Sequence, residues 1–223
     1  MFKALQVAQL HYTECVIHDR KRSHNAWDVR LYIRRYIVTT ENQPGHVNGI
    51  NLGVLQETVS AIKNDPELGK CRFRARNNWS GGAHNCTTIS DFDGAKQRMQ
   101  HKQSFELHCD EPQILAGQDD GANPVEHLLN ALAGCVTTSM VAHAAVLGIH
   151  IEELESELEG DIDLNGFLGL DSNVPKGFTE IRVKFKVKTE PDNLEKLRQL
   201  VSFSPVYNTL IHSPNVNIRI ESK

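Results

Sequence analysis

The sequence predicts an α+β fold in which antiparallel sheets pack on one long, buried central helix. Residues 123–148 form an apolar run of helical length, and several shorter segments alternate apolar and polar residues as half-buried strands do. Hairpin-like turns join these segments, and no run of βαβ units is visible. Strands connected in this way favour an antiparallel sheet.

The central helix has signals at both ends. Asn123 suits the N-cap and Pro124 the first helical position, while Gly148 can end the helix in the left-handed conformation. Beyond Glu126, no residue of the run carries a full-time charge. Such a helix is either buried on most sides or spans a membrane. Its scattered polar residues, and the lack of Lys or Arg anchors at its ends, favour the core of a soluble protein without a membrane partner.

Composition narrows the class of protein. The 223 residues are ample for a hydrophobic core, and 24 Lys and Arg against 28 Asp and Glu give a net charge of −4, which argues against a nucleic-acid partner. Five cysteines, an odd number, include no C-x-x-C pair, and the N-terminus has no signal-peptide pattern. A cytoplasmic protein with reduced thiols is expected.

Three segments follow from the patterning. Residues 1–46 are interpreted as a weakly attached N-terminal extension, with a docking arm for a partner as the alternative. Residues 47–70 form a helical lead-in, and residues 71–223 form the main domain. Turn residues at 41–49 mark the first boundary.

Local patterns predict the remaining elements. Residues 152–159 could also be helical, although a long strand is preferred there, and a polar hairpin or loop is expected at 95–103. The expected strands are 71–79, 84–92, 104–110, 149–164, 178–190 and 215–221, and the expected helices are 52–64, 191–203 and 205–212.

An uncharged central helix needs apolar neighbours around its whole circumference. A single small sheet covers only one side of it. A matching helix from a second copy could cover the other side, so the sequence predicts a homodimer built on this segment.

The sequence resembles the OsmC/Ohr family, the osmotically induced and organic hydroperoxide resistance proteins, from about Arg74 to Glu221. The resemblance lies in W-S-G-G at 79–82, in D-E-P-x-x-L-A-G-x-D-x-G-x-N-P-x-E-x-L-L-x-A-L-A-G-C at 110–135, in L-E-G-D-I-D-L-x-G at 158–166 and in S-P-V at 204–206. It implies an intertwined α+β homodimer. It also implies a cysteine peroxidase that reduces organic hydroperoxides with electrons from a dithiol, without a cofactor.

The resemblance also assigns candidate site residues. Cys135 falls at the peroxide-reacting cysteine and Glu126 near the site glutamate, one position later than in the Ohr branch. Ser204 stands where the family has its second cysteine. The family's arginine after the G-G turn is replaced by Ala83-His84, which leaves Arg74 and Arg76 as candidates for stabilising the thiolate.

The chemistry of Cys135 leaves two interpretations open. A thiolate attacks peroxide oxygen and becomes a sulfenic acid that a second thiol must capture, and the hydroxyl of Ser204 cannot do so. Cys135 is therefore either the thiol of a one-cysteine peroxidase acting in oxidative stress defence or a small buried hydrophobe. In the second case the protein would bind an apolar small molecule at the dimer interface. The pairs His84/Cys86 and His108/Cys109 match no zinc spacing, so no metal is predicted.

Overall fold

The computed structural model describes residues 12–16 and 45–222 of the chain, and for residues 12–16 it describes the backbone alone. The chain forms two compact units. One comprises residues 51–130, and the other comprises the described residues up to 50 together with 131–222. Most of the predicted N-terminal extension, 1–46, lies outside the described residues.

The described residues form nine strands and five α-helices. The strands are β1 Tyr12–Val16, β2 His46–Val47, β3 Ile50–Asn51, β4 Arg72–Phe73, β5 Arg76–Gly81, β6 His84–Gly94, β7 Gln97–Cys109, β8 Glu153–Asp161 and β9 Glu180–Lys188. The α-helices are α1 Leu52–Asn64, α2 Pro124–Val146, α3 Leu164–Phe167, α4 Leu194–Leu200 and α5 Pro205–Ile211. This is an α+β arrangement with antiparallel sheets and a long central helix.

The central helix α2 ends as the sequence predicts. Gly148 adopts a left-handed φ of 69°. Its N–H donates to the Ala145 carbonyl at 3.0 Å, and the Ile149 N–H donates to the Ala144 carbonyl at 2.9 Å. This pair of bonds satisfies carbonyl groups that the last turn would otherwise leave unpaired.

The apolar core of the unit that contains residues 131–222 lies between α2 and an antiparallel sheet of order β1-β9-β8. One face of α2 supplies Leu132, Val136 and Met140 at intervals of four residues. The buried residues that meet them from β9 and α4 are Val183, Phe185, Leu197 and Leu200. The inward side chains of β9 alternate as the sequence predicts.

The central helix is buried on one face rather than on most sides. Ala131, Gly134 and Thr138 are exposed, whereas Leu132 and Val136 are buried. By length and composition alone α2 could cross a membrane, but core helices of soluble proteins pass the same test. Only 33% of its most apolar window is buried in the chain.

The outer face of the β8–β9 pair is a ladder of opposite charges. The strand prediction for residues 152–159 is confirmed, because β8 pairs with β9 in antiparallel register throughout Glu153–Asp161. Lys186 Nζ lies 2.6 Å from a Glu157 carboxylate oxygen, and Arg182 is bound by Asp161. Cross-strand pairs of opposite charge stabilise an antiparallel ladder, and they explain the alternation of both strands.

In residues 51–130, β6 is the central strand of an antiparallel sheet, with β4 and β5 on one side and β7 on the other. The predicted start of the third strand, at 104, was wrong, because β7 begins at Gln97. Ala95 and Lys96 have φ angles of 49° and 62°. Positive φ at both central residues of a two-residue turn matches the twist of the flanking strands, so pairing continues up to the turn.

One of the two C-terminal predictions is confirmed and the other was wrong. The expected helix 191–203 is helical throughout, with a 3-10 turn at each end, Pro191–Asn193 and Val201–Phe203, on either side of α4. The expected strand 215–221 is not formed, and its alternating Val216, Ile218 and Ile220 are 78–94% exposed. An alternating segment becomes a strand only where a partner strand accepts its backbone hydrogen bonds.

Candidate functional site

The sulfur of Cys135 meets the first turn of α5. Cys135 lies in α2 and is half-buried, and the backbone N–H of Val206 points at its Sγ with an N–S distance of 3.5 Å. The residues described for this unit supply no other hydrogen bond to the sulfur. A single backbone donor is therefore the group positioned to interact with negative charge at this thiol.

Ser204, the predicted second-cysteine position, begins the same turn of α5. It is fully buried, and its Oγ accepts a hydrogen bond from the Tyr207 N–H at 3.2 Å. The hydroxyl therefore acts as an N-cap, which satisfies one of the unpaired N–H groups of the first turn. The structure thus brings the segment that contains Ser204 to Cys135. The sulfur accepts a hydrogen bond from Val206, two residues after Ser204.

The Glu126 side chain caps the N-terminus of α2. Its carboxylate accepts a hydrogen bond from the Asn123 N–H at 2.8 Å, while the Asn123 side chain accepts one from the Glu126 N–H at the same distance. This reciprocal pair is a capping box. The carboxylate of Glu126 therefore satisfies an N–H group at the start of α2.

Comparison with known proteins shows a similarity over the span that contains this site. Residues 117–219 match the family model for OsmC-like protein. These residues are OsmC-like. The matched span contains Cys135, Glu126 and Ser204, whereas the resemblance seen in the sequence between residues 74 and 116 lies outside it.

Two solved structures are also similar to this chain. A Psychrobacter arcticus 273-4 protein described as a "putative osmotic stress induced and detoxification response protein" shares 14% identity, with 60% of this chain and 85% of that chain covered and a TM-score of 0.46. An OsmC-like protein from Mycoplasma pneumoniae shares 18% identity, with 64% and 89% covered and a TM-score of 0.44. A comparison with curated proteins found no match.

The two candidate arginines precede the OsmC-like span. Arg74 donates to Asp91 at 2.9 Å and also to Asp93, and these carboxylates raise the pKa of its guanidinium. Arg98 and Arg74 together lower the pKa of Asp91. Arg76 is an exposed residue of β5, opposite Thr88. The guanidinium of Arg74 is thus already bound by two carboxylates of its own sheet.

A buried carboxylate that sequence reasoning missed organises the loop before α2. Asp110 is 1% exposed, and its oxygens accept hydrogen bonds from the N–H groups of Glu111 at 2.9 Å, Gln118 at 3.0 Å and Asp120 at 3.3 Å. These donors hold the pKa of Asp110 below its ordinary value. A signal was present, since Asp110 opens the D-E-P motif and glycines follow it.

Besides the Asp110 carboxylate, this loop requires a glycine at position 117. A Cβ at Gly117 would lie 1.7 Å from the Glu111 carbonyl oxygen, so only glycine allows the two backbone segments to approach. The loop thereby returns on Asp110 shortly before Asn123, the residue that starts α2.

His143 lies in α2 two turns beyond Cys135. Its ring stacks on Phe203, with 4.2 Å between the ring centroids. Burial lowers the pKa of His143, because a charged imidazolium is poorly solvated there. The neutral ring is the favoured form, which suits packing.

Proposed function

We propose that the OsmC-like span acts as a one-cysteine peroxidase in oxidative stress defence, in which Cys135 reduces organic hydroperoxides. The observation that carries this proposal is the Cys135 thiol with the Val206 N–H directed at its sulfur. The same backbone group would stabilise the thiolate, which is the reacting form.

The reaction cycle needs two external thiols. The Cys135 thiolate attacks the terminal peroxide oxygen, the O–O bond breaks, and the products are a sulfenic acid and an alcohol once the leaving alkoxide takes up a proton. One thiol then displaces water and forms a mixed disulfide with Cys135. A second thiol releases the Cys135 thiolate and leaves with the first as a disulfide. A dithiol reductant supplies both.

The serine at 204 is the reason for an external reductant. Its hydroxyl cannot form a disulfide, and its oxygen is occupied as the cap of α5. The expectation that Arg74 or Arg76 stabilises the thiolate remains a prediction, as does a catalytic role for Glu126.

We further propose that two copies associate through α2. The exposed Ala131, Gly134 and Thr138 are small and uncharged, and would let a second helix approach closely. Analytical ultracentrifugation should give twice the mass of the chain, and a monomer at micromolar concentration would refute this assembly.

The test of catalysis compares three proteins. The purified chain is given cumene hydroperoxide with dihydrolipoamide, beside Cys135→Ser and the control Cys71→Ser, which removes an exposed thiol. Cys135→Ser should reduce turnover at least about 100-fold, because no other residue replaces a nucleophile, and Cys71→Ser should leave it unchanged. Equal turnover by Cys135→Ser and the natural chain would end the proposal.

A gain-of-function variant sharpens the same test. Ser204→Cys supplies a thiol in the segment that contacts Cys135, so peroxide treatment should form an intramolecular disulfide, detectable by intact-mass spectrometry as the loss of two hydrogen atoms. Ser204→Ala, which removes the cap without adding sulfur, is the matched control. Absence of this disulfide would argue against the geometry of Ser204 and Cys135.

The alternative is a protein that binds an apolar small molecule without catalysis. One apolar cavity of this unit lies beside Met140 and Leu197 and has a volume of only about 20 Å³, room for roughly one water molecule. This cavity is therefore too small for such a ligand, and the proposed site lies at the interface of two copies. A co-purifying apolar ligand in native mass spectrometry, with no peroxidase turnover, would favour this alternative.

A further inference from the structure

We propose that Cys86, Glu106 and His108 form a binding site for a divalent transition metal of the zinc class. The three residues lie on the β6–β7 ladder, where Cys86 pairs with His108 and Thr88 pairs with Glu106. Because side chains alternate between the two faces of a strand, all three project from the same face. Their ligand atoms lie within 4.8 Å of one another.

The donor set selects the kind of metal. A thiolate, an imidazole nitrogen and a carboxylate oxygen are the ligands of zinc, whereas magnesium and calcium require oxygen ligands. Three protein ligands leave the fourth tetrahedral position for water. The site is therefore of the open kind rather than a closed structural site.

The spacing of the ligands allows the ion to be bound with little movement. Ligand atoms of a tetrahedral zinc site are about 3.5 Å apart, as follows from metal–ligand distances of about 2.0–2.3 Å. Glu106 and His108 are exposed, so rotation of these two side chains can close the gap, while the half-buried Cys86 stays fixed. Within the described chain, these three side chains make neither a hydrogen bond nor an ion pair that metal binding would have to break.

His84 restricts the orientation of the His108 ring, one of the three proposed metal ligands. The rings of His84 and His108 stack with 5.7 Å between centroids and 7° between planes. The His108 carbonyl also accepts a hydrogen bond from His127 Nε2 at 3.1 Å when that nitrogen carries the proton. Both contacts limit the freedom that His108 would lose on binding a metal, and they make His84 a positioning residue.

Cobalt is the probe for this site. The full chain, stripped with a chelator under reducing conditions, is titrated with Co²⁺ and followed by absorption. We expect about one Co²⁺ per chain, a sulfur-to-cobalt charge-transfer band, and intense visible bands of tetrahedral coordination. Zn²⁺ should bleach these bands, and Mg²⁺ should have no effect.

Matched variants assign the ligands. Cys86→Ser should abolish the charge-transfer band, and Glu106→Gln should weaken Co²⁺ binding at least tenfold. Cys109→Ser removes a thiol from the opposite face of the ladder and should bind as the natural chain does, as should Cys135→Ser. Circular dichroism checks that each variant is folded.

Three results would overturn the site, the third of them applying if Cys86→Ser does not fold. One is a charge-transfer band that survives in Cys86→Ser but disappears in Cys109→Ser or Cys135→Ser, which would place the metal elsewhere. The other is the absence of tetrahedral cobalt bands in the natural chain. If Cys86→Ser does not fold, unchanged affinity of Glu106→Gln would refute the proposal. Because Cys135 takes no part, this test is independent of the peroxidase proposal.

Discussion

The two units of the chain are stabilised in different ways. The unit containing residues 131–222 has an apolar core in which Leu132, Phe185 and Leu197 are at most 5% exposed. In residues 51–130, all of which the structure describes, Leu52 is the one large hydrophobic residue that is buried, and Phe73 is 74% exposed.

Polar interactions replace the apolar core in residues 51–130. The buried side chains there include the carboxylates of Asp91, held by Arg74 and Arg98, and Asp110, held by backbone N–H groups. Charge-assisted contacts depend on the protonation of the carboxylates and are screened by salt, whereas burial of apolar area does not depend on pH. The two units should therefore respond to different perturbations.

The largest difference is expected from two phenylalanines. Phe185→Ala should lower the free energy of unfolding by about 3–5 kcal/mol, because it removes a large side chain from a packed core. Phe73→Ala should cost less than about 1 kcal/mol, since it loses mainly the stacking on Phe92. Urea denaturation followed by circular dichroism measures both values. Equal losses would contradict the contrast between the units.

Asp110→Asn should destabilise the loop in residues 110–124. The asparagine side chain has an NH₂ group in place of one carboxylate oxygen, so a donor would face the backbone N–H groups that now donate to Asp110. The melting temperature should therefore fall by about 5 °C or more. The pKa of Asp110 is depressed in the folded state, so its stabilisation is present above about pH 4 and is lost as pH falls below the ordinary value of 3.8.

The control for this loop is the exposed Asp120. Asp120→Asn keeps the backbone N–H of residue 120, which donates a hydrogen bond to Asp110, and should leave the melting temperature unchanged. A matching loss in both variants would mean that the buried carboxylate has no special role. Differential scanning calorimetry at pH 7 and pH 3 distinguishes the outcomes.

His143 should make the stability of the other unit depend on pH. Its pKa is lowered in the folded state, so as pH falls through about 6.5 the unfolded chain binds more protons at this residue than the folded chain does. The free energy of unfolding therefore decreases as the pH is lowered, by no more than about 1.4 kcal/mol per pH unit. His143→Gln should flatten this slope, whereas His212→Gln at an exposed position should not. An unchanged slope in His143→Gln would assign the dependence to other groups.

The smallest effect is expected at Gly134. No atom lies within 4 Å of a Cβ built there, so Gly134→Ala should stabilise a single chain by about 0.5–1 kcal/mol through helix propensity. A second helix packed closely against this face would reverse the sign. Chemical denaturation at several protein concentrations separates the two cases.

The sequence predicted the elements whose signals are local. The ends of α2 follow from Asn123, Pro124 and Gly148, and the alternation of β9 follows from its own residues. The failure at 215–221 has the opposite cause, because a strand depends on a partner that its own pattern does not specify. The same holds for β7, whose early start depends on left-handed φ angles at Ala95 and Lys96, residues without a turn signature.

The candidate site was predicted in part. The motif around Cys135 identified the helix and the segment of Ser204, which the structure brings to the sulfur. The capping of α2 by Glu126 follows from its place three residues after Asn123. The motif did not reveal that the carboxylates of β6 bind Arg74. Such pairings arise from long-range register, which spacing along the chain does not encode. For the same reason the group formed by Cys86, Glu106 and His108 has no sequence signature.

The turn of the β6–β7 hairpin is a suitable attachment site for a label. This turn, at Ala95–Lys96, is about 30 Å along the ladder from Cys86, at 3.3 Å per residue. A fluorescent label or a short epitope grafted at that tip would therefore lie beyond contact with ions bound near the hairpin's base. Single-molecule or pull-down work could use this point of attachment without blocking the chemistry under study.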